Sequence, residues 1–108
     1  MIERNKLPQY RAYQKAHQNT PHRKRRVWSN DLLRDYGITA EDYDAMFSSQ
    51  GGTCAICKRS QTKRLHVDHD HSTGAVRGLL CRACNTAIGM FEDDTERLRN
   101  AITYLEAS

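Results

Sequence analysis

The spacing of apolar residues predicts short helices in the first half of the chain. Residues 8–18 could form one helix, and a second is expected up to Tyr36, capped by Ser29 or Asn30 and stopped by Gly37. The sequence TAED at 39–42 is similar to a capping box and predicts a third helix that ends at Gly51-Gly52. Its apolar side is expected to face the core through Tyr43, Met46 and Phe47.

The second half predicts a β-hairpin between helices. Residues 65–69 and 75–80 can pair as strands around a turn that contains Gly74, and residues 81–91 suit a helix. A final helix, capped by Asp93 or Asp94, is expected to close the core with the apolar residues Leu98, Ala101, Ile102 and Leu105. The fold class predicted is therefore α+β, mostly helical, with a β-β-α unit at its centre.

The four cysteines form two Cys-x-x-Cys pairs, Cys54/Cys57 and Cys81/Cys84. Two such pairs can converge on one tetrahedral Zn²⁺ in a closed, structural site. The alternative is two disulfides in a secreted domain. No hydrophobic leader opens the sequence and the chain is rich in Lys and Arg, so zinc and a cytoplasmic location are expected.

Three polar residues near the second cysteine pair suggest chemistry. Asp68 and Asn85 offer the hard oxygen ligands that Mg²⁺ or Mn²⁺ prefers, and His69 can take a proton from water. This combination suits phosphodiester hydrolysis, while ordinary surface polar residues are the alternative. In a regular strand Asp68 and His69 would point to opposite faces, so a bend or bulge is expected near residues 68–70.

Positive charge is concentrated near the start of the chain. The net charge is +4, and eight of the 17 Lys and Arg residues lie in residues 1–27. This basic arm is expected to contact DNA phosphates, with a solvated tail as the alternative. Its densest run is Arg23, Lys24, Arg25 and Arg26. Residues 28–108 then form the zinc-containing domain, and no apolar run is long enough to cross a membrane.

The string HVDHDH-x-x-G-x-VRGLLC-x-x-CN, which follows the first Cys-x-x-Cys pair, resembles the phage recombination endonuclease VII family. That family belongs to the ββα-metal, or His-Me finger, nucleases, which include the HNH enzymes. The resemblance implies structural Zn²⁺ on the cysteines, catalytic Mg²⁺ or Mn²⁺ on Asp68 and Asn85, His69 as general base and His71 in a supporting role. This chain has Ile88 three positions after Asn85, where a family member has an acidic residue.

The function predicted is a metal-dependent DNA endonuclease, selective for branched or distorted DNA. One alternative is an HNH-type phage enzyme that nicks or cuts ordinary duplex during genome packaging, and another is a non-catalytic zinc module that binds DNA. Arg77 is expected to contact a phosphate, with an ion pair to Asp70 as the alternative. DNA is the expected partner, a homodimer would supply two active sites, no small-molecule cofactor is expected, and a phage-encoded protein would act in the host cell.

Overall fold

The structure is a computed structural model that describes residues 21–108. This part of the chain contains four helices and two strands: α1 (Pro21–Tyr36), α2 (Ala40–Ser49), β1 (His66–His69), β2 (Val76–Leu80), α3 (Arg82–Met90) and α4 (Thr95–Glu106). The prediction of a mostly helical α+β chain is confirmed. The chain divides into one unit up to Tyr43 and another from Asp44 onward. The helix expected at residues 8–18, and the basic residues before Pro21, lie outside the described residues.

Helix α1 begins earlier than its sequence predicts. It runs continuously through the basic residues, so Ser29 and Asn30 lie inside the helix and do not cap it. Lys and Arg are good helix formers, and nothing between Pro21 and Ser29 breaks the helix. Its end is as predicted, because Gly37 adopts a φ of 71° and its N–H donates to the carbonyl of Leu33 at 3.1 Å.

The predicted capping box opens α2. The Thr39 N–H donates to Asp42 Oδ2, and the Asp42 N–H donates to Thr39 Oγ1, both at 3.0 Å. Tyr43 is buried and meets Trp28 edge to face, with ring centroids 4.8 Å apart. Trp28 is therefore a packing residue of the first unit.

The apolar side of α2 is only partly buried. Phe47 is 41% exposed, so the prediction that it faces the core is wrong. The helix ends two residues later, at Ser49, and Gly52 donates its N–H to the Phe47 carbonyl at 2.9 Å. Gly51 and Gly52 have φ of 69° and 74°, and this turn lies against the Phe47 ring at the surface.

The two strands form an antiparallel hairpin that carries the core of the second unit. Leu79 is completely buried, and Leu65, Val67 and Leu80 are nearly so. Helix α3 packs against both strands. On the outer edge of β2, the Gln50 amide donates to the carbonyl of Leu79 and accepts from its N–H, both at 2.9 Å. Gln50 thus supplies the hydrogen bonds that a third strand would otherwise make.

Helix α4 is capped as predicted but does not close the core. The Asp94 carboxylate accepts from the N–H groups of Glu96 and Arg97 at 2.9 and 3.1 Å. No residue of α4 is buried, and Ile102 and Leu105 are 54% and 67% exposed. The expectation of a core-closing helix is therefore wrong. Left-handed backbone at Glu92 and Asp93 redirects the chain between α3 and α4, and within α4 only Leu98 and Ala101 are partly covered. None of the helices in residues 21–108 has the length and apolarity of a membrane span.

Candidate metal centre and active site

The four cysteines come together in one cluster. Their sulfur atoms all lie within 4.8 Å of one another, and Cys57 Sγ is 3.9 Å from Cys81 Sγ. A tetrahedral zinc ion with bonds of about 2.3 Å requires sulfur atoms about 3.8 Å apart. All four are free thiols, so the disulfide alternative is wrong. Among residues 21–108 this is the only group of three or more His, Cys, Asp or Glu side chains placed to share one ion.

Each cysteine pair is shaped by its local backbone. In the first, Lys58 adopts a φ of 60° and donates its N–H to the Cys54 carbonyl at 3.1 Å, while the Ile56 N–H points at Cys54 Sγ at 3.4 Å. In the second, Cys81 caps α3 and accepts from the Cys84 N–H at 3.4 Å. The second pair is thus also the first turn of α3, and the helix sets the spacing of its two sulfur atoms.

The electrostatics of the cluster favour a bound cation. Burial raises the pKa of Cys54, but hydrogen bonds from surrounding N–H groups and from Cys57 outweigh it and bring the pKa to about 6. Burial, hydrogen bonds with the other cysteines and the nearby Cys54 charge raise the pKa of Cys84 to about 12. Four thiolates therefore cannot coexist without a positive ion, and these cysteines could hold one.

The bend expected near Asp68 is present in the hairpin. Asp68 pairs with Gly78 and His69 pairs with Val76, so the register shifts between them and Arg77 has no partner in β1. This is a β-bulge with Arg77 as the extra residue. A bulge re-aims the side chains beside it, and here it directs Arg77 to Asp68.

Asp68 and Arg77 form a two-point ion pair. Arg77 Nε donates to Asp68 Oδ2 at 2.7 Å and Nη2 donates to Oδ1 at 3.0 Å, while Nη2 also reaches Asp93 Oδ2 at 3.1 Å. Asp68 is 9% exposed. Hydrogen bonding to Asp68, reinforced by the charges of both carboxylates, raises the pKa of Arg77 although its partial burial lowers it.

The alternative of an ion pair between Arg77 and Asp70 is therefore wrong, because Asp70 binds backbone groups of the hairpin turn. Its carboxylate accepts from the N–H groups of Ser72 and Thr73 at 2.8 and 3.3 Å and stabilises the hairpin turn. These bonds, led by the one from the Ser72 hydroxyl, lower the pKa of Asp70. Gly74 has the predicted left-handed conformation, with a φ of 78°.

Asp93 is a site residue that the sequence did not indicate. Its charge was explained by helix capping, but Asp94 caps α4 and Asp93 turns toward Arg77. The Asp93 N–H donates to the Ile88 carbonyl at 2.9 Å, which folds the end of α3 back to the hairpin. No local sequence signal distinguishes the two aspartates, since only the fold brings Asp93 close to β2.

The two histidines of the motif lie together. The rings of His69 and His71 are 4.8 Å apart at an angle of 64°. His69 is half-buried, whereas His71 is exposed. A cleft of about 490 Å³ opens beside His71, lined by Asp70, His71, Ser72, Arg77, Gly89, Glu92 and Asp93.

Asn85 lies in the first turns of α3. Its N–H donates to the Cys81 carbonyl at 2.9 Å and its side chain is half-buried. Because α3 packs on both strands, Asn85 belongs to the same hairpin–helix unit as Asp68. In the part of the chain that the structure describes, no direct hydrogen bond joins these two residues.

The basic run lies on α1, in the first unit. Consecutive helical residues are about 100° apart, so Arg23, Lys24, Arg25 and Arg26 surround the helix, and only Arg23 and Arg26 share one side. The Arg25 guanidinium lies over the Trp28 ring, 5.5 Å from its centroid.

Comparisons with known proteins agree with this arrangement. The chain is 54% identical over 81 residues to the gene 59 protein of Mycobacterium phage D29, covering 72% of this chain and 49% of that protein. The gene 59 protein of Mycobacterium phage L5 is 48% identical over 81 residues, with the same coverage. The chain thus spans about half the length of these relatives. The model of the family described as recombination endonuclease VII matches residues 29–107, and the chain therefore belongs to that family, as its motif indicated.

Proposed function

We propose that this chain is the nuclease part of a metal-dependent DNA endonuclease of the ββα-metal class. The observation that supports it best is the buried carboxylate of Asp68, which precedes His69 in β1 and is bonded to Arg77, a residue that lines the open cleft. Membership of a family described as a recombination endonuclease supports the same activity. In this proposal the cysteine cluster holds structural Zn²⁺ and the hairpin–helix unit carries the chemistry.

The donor set suits a hard divalent ion, Mg²⁺ or Mn²⁺, at Asp68 and Asn85. A carboxylate has about four acceptor positions, and Arg77 occupies two of those on Asp68. The remaining positions, the amide oxygen of Asn85 and water would complete the coordination. When bound, the ion would neutralise charge on the phosphate and the leaving oxygen.

The side chains have separate roles in the proposed hydrolysis. His69 accepts a proton from the attacking water, and the new bond forms between the water oxygen and phosphorus. The bond to the 3′ oxygen breaks, and that oxygen takes a proton from solvent water, which leaves 5′-phosphate and 3′-hydroxyl ends. His71 packs on His69 and limits its rotation. Arg77 and Arg23–Arg26 are proposed DNA contacts.

Substrate preference is the finer part of the proposal. Family membership favours branched or distorted DNA, and a homodimer would place one active site on each strand. Equal cleavage of synthetic four-way junctions and matched linear duplexes would favour the duplex-cutting alternative. Failure to cut either substrate while still binding it would favour a non-catalytic zinc module.

His69→Ala tests the chemistry most directly. General-base catalysis contributes about 10² to 10⁴ in rate, so single-turnover cleavage should fall by that factor while zinc content and DNA affinity stay close to wild type. His22→Ala, at an exposed histidine of α1, is the matched control and should cut normally. Cleavage by His69→Ala within a factor of about three of wild type would remove His69 as the base.

Asp68→Ala and Asn85→Ala test the ligands. Each should weaken the Mn²⁺ affinity measured by direct titration, because each removes an oxygen atom that would bind the metal directly. Excess Mn²⁺ should restore part of the cleavage. Undiminished affinity in both variants would refute the assignment.

A further inference from the structure

A second cleft, separate from the candidate active site, lies where α3 begins. It has a volume of about 390 Å³ and is bordered by the loop before β1 and by the start of the helix. Its polar lining consists of Gln61, Thr62, Lys63, Arg64, His66 and Arg82. The cysteine cluster reaches it through Cys81, but no Asp or Glu lines it, and three formal positive charges, those of Lys63, Arg64 and Arg82, face one space.

Sequence proximity alone does not explain this concentration of charge. Lys63 belongs to the loop, whereas Arg82 is the first residue of α3, on the far side of the hairpin. The fold brings these two side chains to one cleft. A basic loop that only contacted solvent would not need a second basic element beside it.

Two of the three charges in the cleft, those of Lys63 and Arg82, have no carboxylate partner within residues 21–108. Arg77 and Arg97, elsewhere in the second unit, form ion pairs with carboxylates. Across residues 21–108, neither Lys63 nor Arg82 has such a partner, and both are exposed. The first turn of α3 contains no acidic residue, and the positive end of its backbone dipole adds to the same field. An anion is the ligand that this environment favours.

We propose that this cleft binds a backbone phosphate of the DNA at a distance from the cleaved bond, an inference that rests on the proposed endonuclease function. The two clefts lie at opposite ends of α3, one at Arg82 and the other at Gly89. With a rise of 1.5 Å per residue these ends are roughly 10 to 12 Å apart. Phosphates of one strand advance about 3.4 Å each along the duplex axis. In this proposal α3 lies along that axis, which puts the second phosphate roughly three to four nucleotides from the cleaved one.

Binding of a linear duplex by the zinc-loaded protein, without added Mg²⁺ or Mn²⁺, tests the cleft independently of catalysis. Lys63→Gln and Arg82→Gln should each reduce the slope of log affinity against log salt by about 0.9. The control is Arg99→Gln, which removes from α4 an exposed arginine that forms no ion pair within residues 21–108 and should leave the slope unchanged. Zinc content is measured in every variant because Arg82 lies between Cys81 and Cys84, whereas Lys63 lies outside both cysteine pairs.

Duplexes with a single uncharged methylphosphonate then locate the contact. At one position three to four nucleotides from the cleaved bond, removal of the phosphate charge should weaken wild-type binding but not further weaken Lys63→Gln. If neither cleft variant differs from Arg99→Gln, or if coupling occurs only at the cleaved phosphate, the inference is overturned. A wild-type protein that binds DNA but does not cut it would instead overturn the proposed function, so the two failures are distinct.

Discussion

Replacement of Arg77 by Met should show whether Asp68 belongs to a metal site or only to a structural ion pair. The substitution retains an apolar stem in the bulge and removes the guanidinium. Arg77 makes two charged hydrogen bonds to Asp68 and a third to Asp93. Without them, the Asp68 carboxylate would stay in a largely buried position with no positive partner.

The expected cost follows from how exposed each partner is. Breaking a fully buried ion pair costs about 3–5 kcal/mol because one charge is left uncompensated. The Asp68 side chain is 11% exposed but that of Arg77 is 37% exposed, so solvent screens part of this effect. We expect a loss of about 2–3 kcal/mol in the free energy of unfolding. Arg97→Met is the matched control, since its ion pairs at 3.6 Å are solvent-exposed and should contribute about 1 kcal/mol or less.

A divalent ion should reverse much of this loss. If Asp68 is a metal ligand, an ion at the site replaces the missing positive charge, and the Arg77→Met variant should bind Mn²⁺ more tightly than wild type because a competing cation is gone. Both proteins are stabilised by the ion, so at saturating Mn²⁺ the gap narrows by RT ln of the ratio of their dissociation constants, about 1.4 kcal/mol for tenfold tighter binding by the variant.

The assay is urea unfolding of zinc-loaded wild type, Arg77→Met and Arg97→Met, each with and without Mn²⁺. We expect the gap between wild type and Arg77→Met to narrow with Mn²⁺ while that for Arg97→Met does not change. A gap that is the same with and without Mn²⁺ would show that Asp68 does not bind the metal. If Arg77→Met loses no more unfolding free energy than Arg97→Met, the argument that burial strengthens the Asp68–Arg77 ion pair is refuted.

Three other predictions follow from the structure. Cys84→Ser should unfold the hairpin–helix unit, because structural zinc contributes about 10–16 kcal/mol, and a native far-UV spectrum with cooperative melting after verified zinc removal would contradict this. Ser72→Ala should raise the pKa of Asp70 in an NMR titration, and an unchanged pKa would refute the assignment. Because folding lowers this pKa, the carboxylate stabilises the turn at pH values above its unfolded pKa, and this stabilisation is lost as the pH falls through the folded pKa. The double variant Arg23→Gln/Arg26→Gln should reduce the salt slope of DNA binding by about 2, whereas an unchanged slope would remove this side of α1 from the interface.

The features that the sequence predicted correctly depend on neighbouring residues. The capping box at Thr39 and Asp42, the left-handed Gly37 and Gly74, and the cap at Asp94 each need only a few adjacent positions. The cysteine cluster is the exception, because its two pairs lie far apart in the sequence. Thiolate chemistry and the spacing within each pair nevertheless restrict it to one arrangement.

The bulge at Asp68 was predicted for a different reason. A regular strand could not present Asp68 and His69 to one phosphate, so the proposed chemistry called for an irregular backbone near them. The structure has a register shift at this point, but its extra residue, Arg77, lies in β2.

The predictions that failed required knowledge of the tertiary contacts. Helical spacing marks one side of α4 as apolar, but it cannot say whether another element covers that side, and Leu105 is exposed. Phe47 has the right period but lies at the last turn of its helix. Asp93 and Asp94 are adjacent and chemically equal, and only the backbone after α3 assigns one to Arg77 and the other to the cap.

The position of Arg77 depends on how firmly β2 is held. Leu79, two residues later, is completely buried, and its N–H and carbonyl are bound by the Gln50 amide. Its carbonyl also accepts from the Ala55 N–H at 3.1 Å, which ties β2 to the first cysteine pair. A Cβ at Gly78 would lie 3.2 Å from Gln50 Oε1, so glycine allows this close approach.

A shift of β2 by one residue would break all these contacts at once and would point Arg77 away from Asp68. The cysteine cluster and Gln50 therefore support the geometry of the candidate active site, although neither lines its cleft. They fix the strand register, the register fixes the bulge, and the bulge determines which charge faces Asp68. In this arrangement a structural zinc ion would affect catalysis through the backbone of β2, without any contact with the DNA.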